Sequence, residues 1–212
     1  QSGLKPSMIL DKALATKIAA DIHGKPATLL STNHKDISTP PPLPHSLLSL
    51  QAEAAGKYGY QPSHVHEVAR KLRDDFMAIT YHRSDSRYLS NERFKEAPAL
   101  LHELSNHYSD LVASCDKDLR GLAFNSDKVT AHHAIIPTLN VPNPESLDED
   151  EQRIYRLITE AYAAQFHKEE INRVTTLVFD IAGGQFVVAG KTSKQKGWRL
   201  LFGGEHVNEE TS

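Results

Sequence analysis

The sequence predicts an α+β chain, with a mostly helical middle between strand-rich ends. Three observations predict it. Apolar residues recur at helical spacing in successive stretches between Ser46 and Phe166. After Asn172 the pattern changes to runs that read as strands, Thr175-Thr-Leu-Val-Phe-Asp-Ile and Gln185-Phe-Val-Val-Ala, separated by the hairpin signal Gly183-Gly184. Thr39-Pro40-Pro41-Pro42-Leu43-Pro44 can continue neither a helix nor a central strand, and reads as a stiff connector. Domain boundaries therefore fall near 41/42 and 171/172. Residues 42–171 form a helical domain, and residues 1–41 and 172–212 pair into one β-rich, discontinuous domain.

The elements follow in order. Pro6 to His23 carries Ile9, Leu10, Leu14, Ile18 and Ile22 at helical spacing, with Gly24 as the stop. Ala27-Thr-Leu-Leu-Ser-Thr is a strand. Ser46 to Lys57 is a helix with Leu47, Leu50 and Ala54 on one face. Ser63 caps the next helix, which runs to Phe76 with Val65, Val68, Ala69 and Leu72 inward. Ser90 caps a long helix through Leu100, Leu104 and Leu111, and Ser146 caps another over 147–166. Gly197-Trp-Arg-Leu-Leu-Phe reads as a third strand, and Glu205 to Ser212 as a frayed end.

Composition bounds the function. The 212 residues are 39% hydrophobic and 24% charged, an ordinary globular balance. No apolar run has the length to cross a bilayer. The first residues have no apolar core behind a charged end, so they do not read as a secretory signal. The missing initiator Met fits a trimmed piece of a longer protein, or processing. Cys115 is the only cysteine, which excludes an internal disulfide and a Cys-rich zinc site and fits a cytoplasmic protein. Twelve histidines are scattered without the His-Glu-x-x-His pattern of zinc hydrolases. A net charge of −3 argues weakly against nucleic-acid binding by the bulk, but Arg70, Lys71, Arg73, Arg83 and Arg87 allow a local basic groove.

The most informative stretch is Ile79-Thr80-Tyr81-His82-Arg83-Ser84-Asp85-Ser86. On an extended segment, a Tyr and an Arg two residues on share one side. A phenol has an ordinary pKa of about 10 and is a weak nucleophile at neutral pH. A guanidinium stays charged, grips phosphate oxygens and would stabilise a phenolate and the transition-state charge. By themselves these residues suit attack on a phosphodiester, or equally a half-buried strand tyrosine beside a surface arginine.

The longer string from Ile79 to Ser90 closely resembles the active-site tyrosine motif of type IA DNA topoisomerases of the topoisomerase III branch. Downstream, Ala131-His132-His133-Ala134-Ile135-Ile136-Pro137-Thr138 is similar to that family's histidine segment. Upstream, Pro42-Leu43-Pro44-His45-Ser46-Leu47 with Leu50-Gln51 resembles its lead-in to the helical domain. The resemblance implies that the chain is the central part of such an enzyme, a helical domain inserted into a β-rich arch, with hinge strands around Pro40–Pro44 and Asn172. It implies transient cleavage and rejoining of single-stranded DNA through a 5′-phosphotyrosine, without ATP. Tyr81 would be the nucleophile, Arg83 would hold the scissile phosphate and His132 would contact it. His133, Arg87, Gln51, Ser49 and Ser84 would be DNA contacts, Ser84 also shaping the loop with Asp85 and Ser86.

The motif commonly has Pro where this chain has His82, which reads as solvent-facing and as a local positive charge below about pH 6.5. In the family, Mg²⁺ is bound by the acidic cluster of an N-terminal toprim domain that has no counterpart here. The acidic run Asp148-Glu149-Asp150-Glu151 reads as a helix start, so no metal is expected in this part. The expected partners are single-stranded DNA and the remaining domains of the parent, with no membrane, as a monomer in the cytoplasm at the nucleoid. A module that binds single-stranded DNA or a partner without catalysis, and a His-rich metal-binding domain, are the competing classes.

Overall fold

A computed structural model describes residues 11–202. The expected helix start at Pro6 and the expected fraying of 205–212 lie outside them. The described elements are α1 (Lys12–Ile22), β1 (Ala27–Thr39), α2 (Leu47–Tyr58), α3 (Pro62–Asp74), α4 (Asn91–Ser105), α5 (Ser109–Val112), α6 (Glu149–Ala163), β2 (Glu170–Ile181) and β3 (Gly184–Gln195). The fold class is α+β. Among the described residues two compact units form, one from 11–38 and 171–195, the other from 39–170 and 196–202.

The first unit is a three-stranded sheet in the order β1-β2-β3 plus α1. β2 and β3 are antiparallel, from Ile171 opposite Gln195 to Ile181 opposite Gly184. The hairpin turns on Ala182 and Gly183, with φ of 54° and 83°, the positive pair that a type I′ turn requires. Glycine takes this conformation freely, whereas Ala182 bears a Cβ penalty. Asp36 on β1 ties the strands together. Its carboxylate accepts from Arg173 on β2 at 2.8 Å and from Lys194 on β3 at 2.9 Å, and those two cations hold it well below the usual carboxylate range.

The second unit is built on α2, α3 and α6. Leu50, Ala54, Val65, Leu72, Ile154 and Ile158 are fully buried between them. Tyr155, Tyr162 and Phe166 supply the largest buried side chains, and α4 adds Ala97, Leu101 and Leu104.

Several expectations need correction. Gln61 rather than Ser63 precedes α3, because Pro62 takes the first helical position, where its missing N–H costs nothing. The long helix after Ser90 ends at Ser105, and Leu111 belongs to the separate α5. Ser90 makes no capping hydrogen bond there. The last long helix is capped by Asp148 rather than Ser146, in a reciprocal capping box with Glu151.

Gly197–Phe202 is a 3₁₀ segment, and it groups with the helical unit rather than with the sheet. Gly197 has φ of 53°, and a Cβ there would stand 2.3 Å from the Lys168 carbonyl. That bend folds the chain back so that Trp198 and Leu201 are buried. The indole donates to the Thr39 carbonyl at 3.0 Å.

Replacing Ala182 with Asn, which tolerates the left-handed region, should stabilise the hairpin by about 1 kcal/mol. The expected readout is roughly fivefold slower amide exchange across β2 and β3.

Candidate active site

The site forms where two loops of the helical unit are stitched together. One follows α3 and carries Tyr81; the other runs from Ala131 to Thr138. Their backbones meet at the bridge between Ile79 and Pro137. The Thr80 amide donates to the Ile136 carbonyl at 2.9 Å, and the Thr138 amide to the Ala78 carbonyl at 2.9 Å. The Thr80 hydroxyl works in both directions, donating to the Ala134 carbonyl and accepting from the Ile136 amide, each at 3.0 Å. The Thr138 hydroxyl donates to the Met77 carbonyl at 2.6 Å.

Ser84 closes the arrangement from below. It is fully buried, its hydroxyl donates to the His133 carbonyl at 2.5 Å, and it accepts from the Ser86 amide at 3.2 Å. Ile79, Ile135 and Ile136 anchor the two loops in the core.

This framework turns Tyr81 outward, 43% exposed. Its ring centroid lies 4.6 Å from that of His132. Both line an open cleft of about 440 Å³, with Arg73, Arg93, His133, Thr138 and Asn140 among the other walls. Among the described residues no carboxylate lines it.

Arg83 is placed differently from the extended geometry expected. The Ser84 amide donates back to the Tyr81 carbonyl at 3.3 Å, so residues 81–84 form a turn. The turn carries Arg83 to α3, where its Nε donates to His66 Nε2 at 3.2 Å, and Arg83 does not line the cleft. His82 is buried, not solvent-facing, and neither ring nitrogen has a hydrogen-bond partner. Burial, with help from His66 and Arg83, pushes its pKa below the ordinary histidine value and disfavours the positive charge expected there. Burial likewise lowers His133.

The remaining candidates are engaged within the fold. Ser49 shares hydrogen bonds with Ser46 at the start of α2 and stands 3.2 Å from His45 Nδ1. Gln51 donates to the Pro62 carbonyl at 2.9 Å. Arg87 donates to the carbonyls of Pro44 and Leu43, at 3.0 and 2.7 Å, and so fixes the proline segment.

The basic groove that the sequence allows does not form as one surface, because most of its members are engaged within the fold. Arg70 pairs with Glu67 and Asp74, and Lys71 with Asp148 and Glu151. Only Arg73 of that set reaches the cleft. Sequence reasoning missed His66 and Arg93. Arg93 reads as half of an i,i+3 surface pair with Glu96, and nothing in the sequence links His66 to Arg83.

The acidic run does not suit a divalent cation. Asp148 and Glu151 cap α6, Lys71 stands 3.6 Å from Glu151, and Asp150 accepts from Tyr60 and is paired with His64. Among the described residues, no three His, Cys, Asp or Glu side chains gather as a metal ion would need. No described helix is long and apolar enough to cross a membrane.

An exposed phenol beside a histidine, in a cationic cleft, agrees with what comparison with known proteins finds. The family of DNA topoisomerases matches residues 1–212, the whole chain. The chain belongs to that family. Within it the sequence is that of a type IA enzyme of the topoisomerase III branch. It is 35% identical over 205 residues to a DNA topoisomerase 3 of Vibrio cholerae, covering 95% of this chain and 32% of the relative. It is 37% identical over 204 residues to the DNA topoisomerase 3 of Salmonella typhimurium, covering 95% and 31%. The full-length topoisomerase I of Thermotoga maritima shares the fold, with a TM-score of 0.66 at 22% identity over 94% of this chain and 33% of that one. This topoisomerase chain thus spans about a third of the length of its relatives.

Two predictions follow from the loop framework. Ser84→Ala should cost about 1–3 kcal/mol in urea denaturation, because the His133 carbonyl loses its buried partner. The second concerns His45, whose carbonyl accepts from Ile135 at 2.7 Å. Burial holds its imidazole down at about 4 against an ordinary 6.5; Arg87 and Lys57 add to this and Glu53, 3.5 Å away, opposes it. The unfolded chain takes up a proton near 6.5 that the folded chain refuses until about 4, so this contribution is full above 6.5 and is lost on acidification through that window. Denaturation at pH 7 and pH 5 should differ by about 2 kcal/mol from this group, and His45→Gln should flatten the difference.

Proposed function

We propose that the chain is the nucleophile-bearing part of a type IA topoisomerase that cuts and rejoins single-stranded DNA through Tyr81. The observation that carries the reading is the Tyr81 phenol, exposed at the mouth of a carboxylate-free cleft and 4.6 Å, ring to ring, from His132. The phenol oxygen attacks a backbone phosphorus, the bond from phosphorus to the 3′ oxygen breaks, and that oxygen leaves as a 3′-hydroxyl. The phosphodiester is conserved as a 5′-phosphotyrosine, so reversal needs no ATP. His132 contacts the scissile phosphate. Arg83 holds it too, after giving up a single exposed hydrogen bond to His66. The result for the parent enzyme is relaxation or decatenation of DNA.

The same proposal assigns the division of labour. The helical domain carries the nucleophile, and the β-rich domain serves as the arch with hinges at the connectors around Pro40–Pro44 and Asn172. Mg²⁺ belongs to the parent's toprim domain, and no step above is routed through it. The parent acts as a monomer on DNA at the nucleoid. One observation favours a second reading, strand binding without catalysis: Arg83 is hydrogen-bonded to His66 instead of lining the cleft.

The test uses the longer enzyme with Mg²⁺ and a single-stranded oligonucleotide labelled at its 3′ end. A denaturant-stable labelled adduct is expected. It should vanish in Tyr81→Phe and fall by roughly 10²-fold or more in rate in Arg83→Ala. Strand binding without any adduct would select the second reading.

A further inference from the structure

We infer that Arg73 is a strand-positioning residue, whose guanidinium grips a backbone phosphate of the single strand beside the one that faces Tyr81. The inference rests on the proposed function and adds to it a contact outside the tyrosine and histidine motifs.

The cleft reverses the charge of its surroundings. The chain carries a net charge of −3, yet among the described residues Arg73, Arg93, His132 and His133 line the cleft and no Asp or Glu does. The arginines come from different helices, Arg73 from the last turn of α3 and Arg93 from the first turn of α4, so the cationic character does not arise from one charge run.

Arg73 differs from its neighbours in having nothing else to do. Arg70 is held by Glu67 and Asp74, Arg83 by His66, and Arg87 by two carbonyls. Arg93 is paired with Glu96 at 2.7 Å, an exposed i,i+3 pair of the kind that contributes little and yields readily to a phosphate. Among the described residues Arg73 makes no hydrogen bond and no ion pair, although Asp74 and Asp75 follow it directly. A half-buried, permanently charged fork with free donors, in the wall that also presents the nucleophile, fits the two-pronged geometry of a phosphodiester.

The experiment measures binding of a short fluorescent oligodeoxythymidylate to the chain by anisotropy over a series of NaCl concentrations. Each phosphate contact on a single strand contributes about 0.7 to the slope of log affinity against log salt. Arg73→Ala should lower the slope by about 0.7, Arg73→Lys should keep it, and Arg70→Ala should leave it unchanged. The thermal midpoint of Arg73→Ala should match wild type, since no intramolecular bond is lost. An unchanged slope in Arg73→Ala, or an equal fall in Arg70→Ala, overturns the assignment of Arg73 while leaving the function of Tyr81 standing. A wild-type chain that does not bind the strand overturns both.

Discussion

The site depends on the hydrogen bonds that Thr80, in both directions, and Ser84, as donor, make to the histidine loop. Tyr81 and His132 are far apart in sequence and both are exposed, so neither is held by burial of its own side chain. What fixes them is the backbone one or two residues away. The Thr80 hydroxyl satisfies a carbonyl and an amide on the opposite loop at once, and Ser84 satisfies the His133 carbonyl from a fully buried position. These bonds are partly buried, so leaving any of the groups unpaired would carry a desolvation cost. The loops are therefore locked in register, and the rings of Tyr81 and His132 meet because their neighbours cannot slide. Ile79, Ile135 and Ile136 pin the same pair of loops to the helical core, which couples the geometry of the cleft to the packing beneath it.

The chain's acidity and its cationic cleft are compatible because many carboxylates are used elsewhere, Glu96 on Arg93 being an exception. Asp148 and Glu151 satisfy amides at the start of α6, where the helix field favours negative charge. Glu53 and Glu160 share Lys57, Glu160 also takes Arg156, and Asp36 holds three strands together. A net charge summed over the sequence averages these structural pairs with the cations left over, and so hides a cleft whose charged lining is cationic.

Legibility from sequence followed the range of the interactions involved. α2, α3 and α6 were readable from apolar spacing, and the hairpin from Gly183-Gly184, because those signals are local. Caps were less so: Ser63 and Ser146 look like caps, but Pro62 and the reciprocal pair Asp148 and Glu151 make better helix starts close by. The 3₁₀ form of Gly197–Phe202 depends on the carbonyls of Lys168 and Glu169, which alternation of apolar residues does not reveal. At the site, the motif pointed to Tyr81 and His132, which the fold brings together. It did not reveal that Ser49, Gln51 and Arg87 are hydrogen-bonded within the fold, nor that Arg73 and Arg93 converge on the cleft from separate helices.

The burial of His82 bears on which charges the cleft can offer a nucleophile. A phenol oxygen attacking phosphate needs positive charge nearby, and three rings near it are histidines. For His82 and His133 burial favours the neutral imidazole, so neither supplies a lasting cation at neutral pH. The permanent charge falls to guanidinium groups: Arg73 and Arg93 in the walls, and Arg83 one turn away on His66. Arginine stays charged throughout the range a protein meets, so its share of the field at Tyr81 does not change with pH. Arg83 differs from the other two in having a docking partner outside the cleft. Under the proposed function, moving Arg83 from His66 to a phosphodiester monoanion exchanges a hydrogen bond to an imidazole for a charge-assisted one.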